Sequence, residues 1–312
     1  MHSSLRVILA AGVLACGAAA MAVPKVAVLT KSKSAFWAAA EQGALKAGTE
    51  FGVEVVAKSP LNEGDVGIQI QLLNTFVEQG VDAIVIAPSS KDTLVAPLAA
   101  AAAQGIKIVV FDTRLEGESP YPFVGTDQRQ SGQAAGALLA ALMADGDPVG
   151  FLKHNQTSGA TLQREQGAFE KLREMRKDLT LCGSTYVGID KGAERERVSA
   201  FFDQHPEMKA VLASSTPATL ALIEVVRERK LAGAVKGVGF GFNLTPVVAE
   251  AIEQDVLRGW VAQLPGAMGY GGVKAAVALL KGDAVPKTIP TEFFVVTKEN
   301  LRDPKIQALL AQ

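Results

Sequence analysis

The sequence predicts an α/β protein with parallel sheets flanked by helices on both faces, and three observations carry that expectation. Its β-rich segments are almost continuous apolar runs without alternation, the pattern of parallel strands buried on both faces. Those runs alternate with helix-patterned segments, the βαβα rhythm of doubly wound sheets. Roughly ten such runs in 312 residues exceed one comfortable sheet and suggest two domains.

Taken in order, the strands are expected at Val26–Leu29, Ala83–Ile86, Ile106–Phe111, Val149–Leu152, Ala210–Ala213 and Val235–Phe240. Between the first two, Val66, Ile70, Leu73 and Val77 follow helical spacing, with Asp65 placed as N-cap and Gly80 just past the end. The Ala-rich segment Leu94–Ala103 reads as a second helix that stops near Gly105. Later helices are expected over Gly159–Met175, Pro217–Arg229 and Pro246–Gln254. The stretch Asp112–Pro122, with Gly117 and Pro120, reads as a loop after a strand.

The first 22 residues read as a secretory signal: Arg6, an apolar run from Val7 to Ala15, then small residues ending Ala20-Met21-Ala22. That run is too short to span a bilayer. Export to the periplasm is therefore expected, which counts against functions that need cytosolic nucleotides. A lipid-anchored form through Cys16 is the alternative, because Val13-Leu14-Ala15-Cys16 weakly fits a lipoprotein signal. The charge balance is near neutral, 31 basic against 32 acidic residues, with no Lys/Arg cluster of the density that nucleic-acid binding needs. After signal removal Cys182 stands alone in a strand-like run and reads as a small buried hydrophobe rather than a reactive thiol.

In open α/β sheets ligands bind beyond the carboxyl ends of the strands. Those ends carry Thr30, Lys31, Ser32, Lys33, Ser34, Phe36 and Trp37; Asp112, Thr113 and Arg114; Ser214, Ser215 and Thr216; Phe242 and Asn243. They hold hydroxyls, amides, charges and aromatics, with no metal cluster. His154, also at a strand end, stands where a cleft would be and reads as a polar rim residue. No HExxH, CxxC, P-loop or G-x-S-x-G is present, and Gly237-Val-Gly-Phe-Gly241 lacks the third glycine of a dinucleotide loop. Nothing in these motifs asks for an enzyme, and no cofactor is expected.

Four stretches resemble the periplasmic sugar-binding proteins of ABC importers, of the ribose and allulose type. They are Val26–Trp37, Ile106–Asp112, Arg164-Glu-Gln-Gly-Ala-Phe169 and Val261-Ala-Gln-Leu-Pro265, within a resemblance from about Lys25 to about Thr297. The resemblance implies that Phe36 and Trp37 flank a sugar ring, and that Asp112 and Arg164 make charge-assisted bonds to its hydroxyls. It further implies that Gln263 reaches the ligand at the hinge, with Ser34, Ser215, Phe242 and Asn243 completing the pocket. Asn243 stands where the family has Asp, and Ser34 and Ser215 where many members have Asn, so ribose itself is not the expected ligand. Arg114 shares a strand face with Asp112 and is expected either in the pocket or as an outer partner of Glu116 or Glu118.

The same resemblance implies an N-terminal domain of residues 23–126 plus 264–292 and a C-terminal domain of 127–263 plus 293–312. A three-segment hinge near Thr126, Gln263 and Glu292 would join them around a ligand cleft. The implied partners are a sugar or polyol and an inner-membrane permease, with the protein a monomer. A sensor role, presenting the bound ligand to a chemoreceptor or sensor kinase, is the alternative. A gene repressor on this fold would carry a helix-turn-helix where the signal stands.

Overall fold

The computed structural model describes residues 22–188 and 192–310, and among them twelve strands form two six-stranded sheets flanked by ten helices. The signal reading of residues 1–22, with Cys16, falls outside the described residues except for Ala22. No helix among the described residues is long and apolar enough to cross a membrane.

The chain begins with β1 (Lys25–Leu29), α1 (Ala35–Phe51), β2 (Glu54–Lys58), α2 (Val66–Glu78), β3 (Ala83–Ile86), α3 (Val95–Ala103), β4 (Lys107–Phe111) and β5 (Phe123–Gly125). It continues through α4 (Gln128–Leu142), β6 (Pro148–Lys153), α5 (Gly159–Met175), β7 (Thr180–Tyr186), α6 (Glu194–Gln204), β8 (Ala210–Ala213), α7 (Thr216–Glu228), β9 (Lys236–Phe242), α8 (Pro246–Glu253) and β10 (Gly259–Gln263). It closes with α9 (Pro265–Lys281), β11 (Thr288–Pro290), β12 (Phe293–Val296) and α10 (Pro304–Leu310).

The first sheet has the order β11-β5-β4-β3-β1-β2 and is parallel throughout. The second has the order β12-β10-β9-β8-β6-β7 and is parallel except for β12, which runs antiparallel beside β10 at the edge. Such an antiparallel edge on a parallel sheet is common. The chain passes between the sheets three times, at residues 126–127, at 264 and at 291–292. Two of these passages touch: Thr291 N–H donates to Gly125 O at 3.0 Å, and the Thr126 and Thr291 hydroxyls lie 3.2 Å apart.

The apolar runs follow from burial on both faces. In β1, Val26 and Val28 join the core cluster that includes Trp37 on α1 and Met268 on α9. Ala27 and Leu29 point the other way, into the cluster of Leu73 on α2 and Leu98 on α3. The second sheet is sandwiched the same way, with Val211 and Ala213 of β8 on one side and Ala210 and Leu212 on the other. Alternate residues thus reach two separate cores, so no polar face is left to create alternation.

The expected strands are present with ends shifted by one or two residues. Asp65 is the N-cap residue of α2 but makes no side-chain cap bond; its ψ of 60° departs from the extended geometry that aims a cap at the helix. Gly80, with φ +65°, supplies the left-handed stop.

Candidate functional site

The carboxyl ends of both sheets face one cavity of about 830 Å³. The first sheet contributes Lys31 and Ser34 beyond β1, Phe36 and Trp37 at the start of α1, Glu63 before α2, and Asp112 beyond β4. The second contributes His154 beyond β6, Ser158 and Arg164 around α5, Ser215 beyond β8, Phe242 ending β9 and Gln263 ending β10.

On the first side a buried ion pair forms the floor. Lys31 Nζ donates to Asp112 Oδ2 at 2.9 Å and to Thr113 Oγ1 at 2.6 Å, and Thr113 Oγ1 donates to the same Oδ2 at 2.9 Å. Lys31 and Asp112 are 2% and 5% exposed, so the pairing is what makes burial of either charge tolerable. Asp112 Oδ1 has no partner among the described residues. Asp112 also has φ +61°, a left-handed conformation in which short polar side chains are enriched.

The aromatic wall crosses both sides. Trp37 packs edge-on against Phe36 at 4.8 Å and Phe111 at 6.0 Å, and Phe36 meets Phe242 of the second sheet at 5.3 Å. Lys31 Nζ sits 5.2 Å from the Trp37 ring centroid, within cation–π range. Trp37 Nε1 donates to Glu63 Oε1 at 2.7 Å, while Glu63 Oε2 lies 3.0 Å from His154 Nε2. Burial alone would push the Glu63 carboxyl up. The hydrogen bond and charge of His154, the Lys31 ammonium and the Trp37 N–H outweigh it and hold the group at about 2.

On the second side Arg164 is 4% exposed and tightly held. Its Nε and Nη2 donate to Gln128 Oε1 at 3.2 and 2.7 Å, Nη2 also to Gln263 Oε1 at 2.7 Å, and Nη1 to Ser214 O at 2.6 Å. The guanidinium carbon lies 4.4 Å from the Phe240 ring centroid. These four bonds leave one of the five N–H groups, on Nη1, unassigned among the described residues. Burial lowers the Arg164 pKa to about 10, against the opposing carboxylates of Asp112, Glu165 and Glu63. The arrangement depends on close packing of α4 on α5. A Cβ on Gly132 would stand 2.0 Å from Arg164 O, and one on Gly167 2.2 Å from Arg129 O. Gln263 Nε2 is buried, lies at the cavity and has no partner among the described residues.

Of the ten residues singled out from the sequence, eight line this cavity: Ser34, Phe36, Trp37, Asp112, Arg164, Ser215, Phe242 and Gln263. Ser34 is the N-cap residue of α1, its side chain making no cap bond, while the Ser215 hydroxyl caps α7 by accepting from Ala218 N–H. Arg114 lies elsewhere: its guanidinium stacks 3.8 Å from the Phe123 ring centroid and Nη2 donates to Thr288 Oγ1 at 3.2 Å. It lines a separate cavity of about 230 Å³ beside β5 and β11. The left-handed turn at Asp112 breaks the strand alternation on which the inward reading of Arg114 rested. Of its two expected outer partners, Glu116 pairs with Lys91, while Glu118 lines the same small cavity as Arg114. Asn243 has φ +45°, is half-buried, and is not among the residues lining the cleft.

Lys31, named at a strand end but given no role, and Glu63, not named at all, are charged residues that line the cavity. Lys31 carried a signal, because it follows a parallel strand directly. Glu63 lies in a loop between an edge strand and α2, where nothing local marks it. His154, read as a rim residue, instead faces Glu63 across the cleft.

A family model described as periplasmic binding protein domain matches residues 26–284. The chain belongs to that family. It is 29% identical to the D-ribose/D-allose-binding protein of Pseudomonas aeruginosa over 83% of each chain. Among solved structures it resembles a carbohydrate transporter solute-binding protein of Agrobacterium radiobacter, in complex with D-arabinose. There the TM-score is 0.86 and the identity 28%, covering 93% of this chain and 99% of that one. It also resembles the periplasmic component of an ABC-type sugar transport system from Hahella chejuensis. There the TM-score is 0.83 and the identity 27%, covering 88% and 100%.

Proposed function

We propose that this chain is the substrate-binding protein of an ABC importer, capturing a neutral sugar or sugar-like polyol between its two sheets and delivering it to a membrane permease. The observation that carries this reading is the cleft itself. Two aromatic-walled half-sites, each with satisfied charges and a few spare hydrogen-bonding atoms, meet at the carboxyl ends of opposed parallel sheets.

The chemistry favours a polyhydroxylated neutral ligand. The cations Lys31 and Arg164 are offset by the carboxylates of Asp112 and Glu63 around the same cavity, so no large unbalanced charge awaits a charged ligand. Asp112 Oδ1 is a spare acceptor; the Arg164 Nη1 and Gln263 Nε2 N–H groups are spare donors. Hydroxyl groups serve both kinds, and charge-assisted bonds to them are the strong ones. Sugar C–H faces suit the Phe36–Trp37–Phe242 wall. The group is suited to holding rather than transforming: the carboxylates and the histidine that face the cavity are bound to protein partners.

In this reading residues 23–126 plus 264–292 and 127–263 plus 293–312 are two domains hinged at the three passages between sheets. The sheet membership of the strands supports that division. Ligand bonds from both sides exist together only when the domains are closed, so binding shifts the population toward closure. The protein works in the periplasm as a monomer, its first 22 residues being removed on export.

A thermal-shift screen against pentoses, hexoses, 6-deoxy sugars, polyols and inositols tests this proposal. A true ligand at 100 times its Kd adds about 2.7 kcal/mol and raises Tm by several degrees. Silence across the whole panel, in protein free of carried-over ligand, contradicts the sugar assignment.

A further inference from the structure

Cys182, His205 and Glu207 lie together at the far edge of the second sheet, on β7 and in the turn after α6. One ligand atom from each, sulfur, imidazole nitrogen and carboxylate oxygen, lies within 4.8 Å of the other two. We propose that these three side chains form a binding site for a borderline transition-metal dication such as zinc or cobalt, with water completing the coordination.

Three features of the local structure support it independently. First, the parallel pairing of β6 with β7 runs Val149 to Leu181 and then Gly150 to Gly183, so Cys182 is the extra residue of a bulge. Bulges in parallel pairs are rare and re-aim the side chain they carry. Second, His205 and Glu207 are held by a tight turn: Met208 N–H donates to His205 O at 3.1 Å, and Pro206 fixes the backbone between them. The His205 ring is braced against Phe201 at 4.7 Å. Gly183 makes room for it, since a Cβ there would stand 2.7 Å from His205 Nε2. Third, His205 Nδ1 and Glu207 Oε1 are 3.4 Å apart. That separation is close to the edge of a tetrahedron with metal–ligand bonds of about 2.0–2.1 Å.

The donor set is the one that zinc accepts, one thiolate, one imidazole and one carboxylate, with a fourth position open to water. On binding, the sulfur–metal bond forms as the thiol proton passes to solvent, and no electron is transferred. Cys182 and His205 are half-buried and Glu207 is exposed, so an ion enters from solvent. No local spacing announces the site, because Cys182 lies more than twenty residues from the other two and only the fold joins them.

The test uses the metal alone on the mature chain proposed above, without residues 1–22, in which Cys182 is the one remaining cysteine and serves as reporter. One equivalent of Zn²⁺ should slow the reaction of the Cys182 thiol with an aromatic disulfide reagent at least tenfold, with Cys182→Ser defining the background. His205→Gln should abolish that protection. One equivalent of Co²⁺ should give a thiolate-to-cobalt charge-transfer band in the near ultraviolet, absent from Cys182→Ser. A thiol that reacts at the same rate with and without Zn²⁺ in the wild-type protein would overturn the proposal, and this measurement needs no variant to fold. Protection that survives His205→Gln, or a cobalt band that survives Cys182→Ser, would overturn it equally.

Discussion

Trp37 is one of only two tryptophans in the chain, and the other, Trp260 of β10, is not among the residues lining the cavity. Trp37 lines the cleft beneath Lys31 and donates to Glu63, so a bound ligand changes its surroundings directly. Sugar should therefore alter tryptophan emission, and Trp37→Phe should remove most of that change; an equal change in the variant would contradict the placement. Lys31→Met leaves the Asp112 carboxylate buried without its cation. Affinity should fall about tenfold or more, the equivalent of losing a charged hydrogen bond of about 1.5–3 kcal/mol. Titration calorimetry giving wild-type affinity would count against the ion pair as a pocket floor. Arg164→Ala removes a proposed ligand donor but also strands the Ser214 carbonyl and two buried amides. It should lower stability by about 1–3 kcal/mol as well as weakening binding. A urea melt indistinguishable from wild type would show that the network does not hold the fold.

At the level of elements, α4 and α5 act as one unit. Gly132→Ala brings a methyl group against Arg164 O and should cost about 1–3 kcal/mol, with sugar affinity falling because Gln128 and Arg164 separate. Unchanged stability and affinity together would show that the helices have slack. The loop of residues 59–65 bears Glu63, which joins the two sides through His154. Its folded pKa of about 2 lies below the ordinary 4.5, so its stabilisation is complete above pH 4.5 and is lost as pH falls toward 2. Resistance to urea should therefore decline across that window, and Glu63→Gln should flatten this part of the profile; an identical decline in the variant would assign it to other carboxylates.

These elements also show what could be read beforehand. Strands such as β4 and β8, buried on both faces, announce themselves as continuous apolar runs, and their ends locate Asp112 and Ser215 by rule. β2 has an exposed Glu54 at an edge, and β5 and β11, at three residues each, are too short to leave a pattern. Arg114 and Asn243 were misplaced for one shared reason. Each lies at or just beyond a left-handed residue, where strand alternation no longer says which way a side chain points. Lys31–Asp112 and Glu63–His154 join residues 81 and 91 positions apart, so their pairing exists only in the folded chain.

At the scale of the molecule, the chain passes three times between two sheets that also meet across the cleft. Glu63 meets His154, and Phe36 meets Phe242. Each is one local contact at the cavity wall, and neither joins Asp112 to Arg164 across the cleft. A ligand bonded to both sides adds what they lack. The measurement that bears most directly on this is small-angle scattering of the protein with and without the sugar found in the screen. The account predicts a smaller radius of gyration at saturation, with the change lost in Arg164→Ala at the same sugar concentration. A radius that stays constant through saturation would contradict capture by closure.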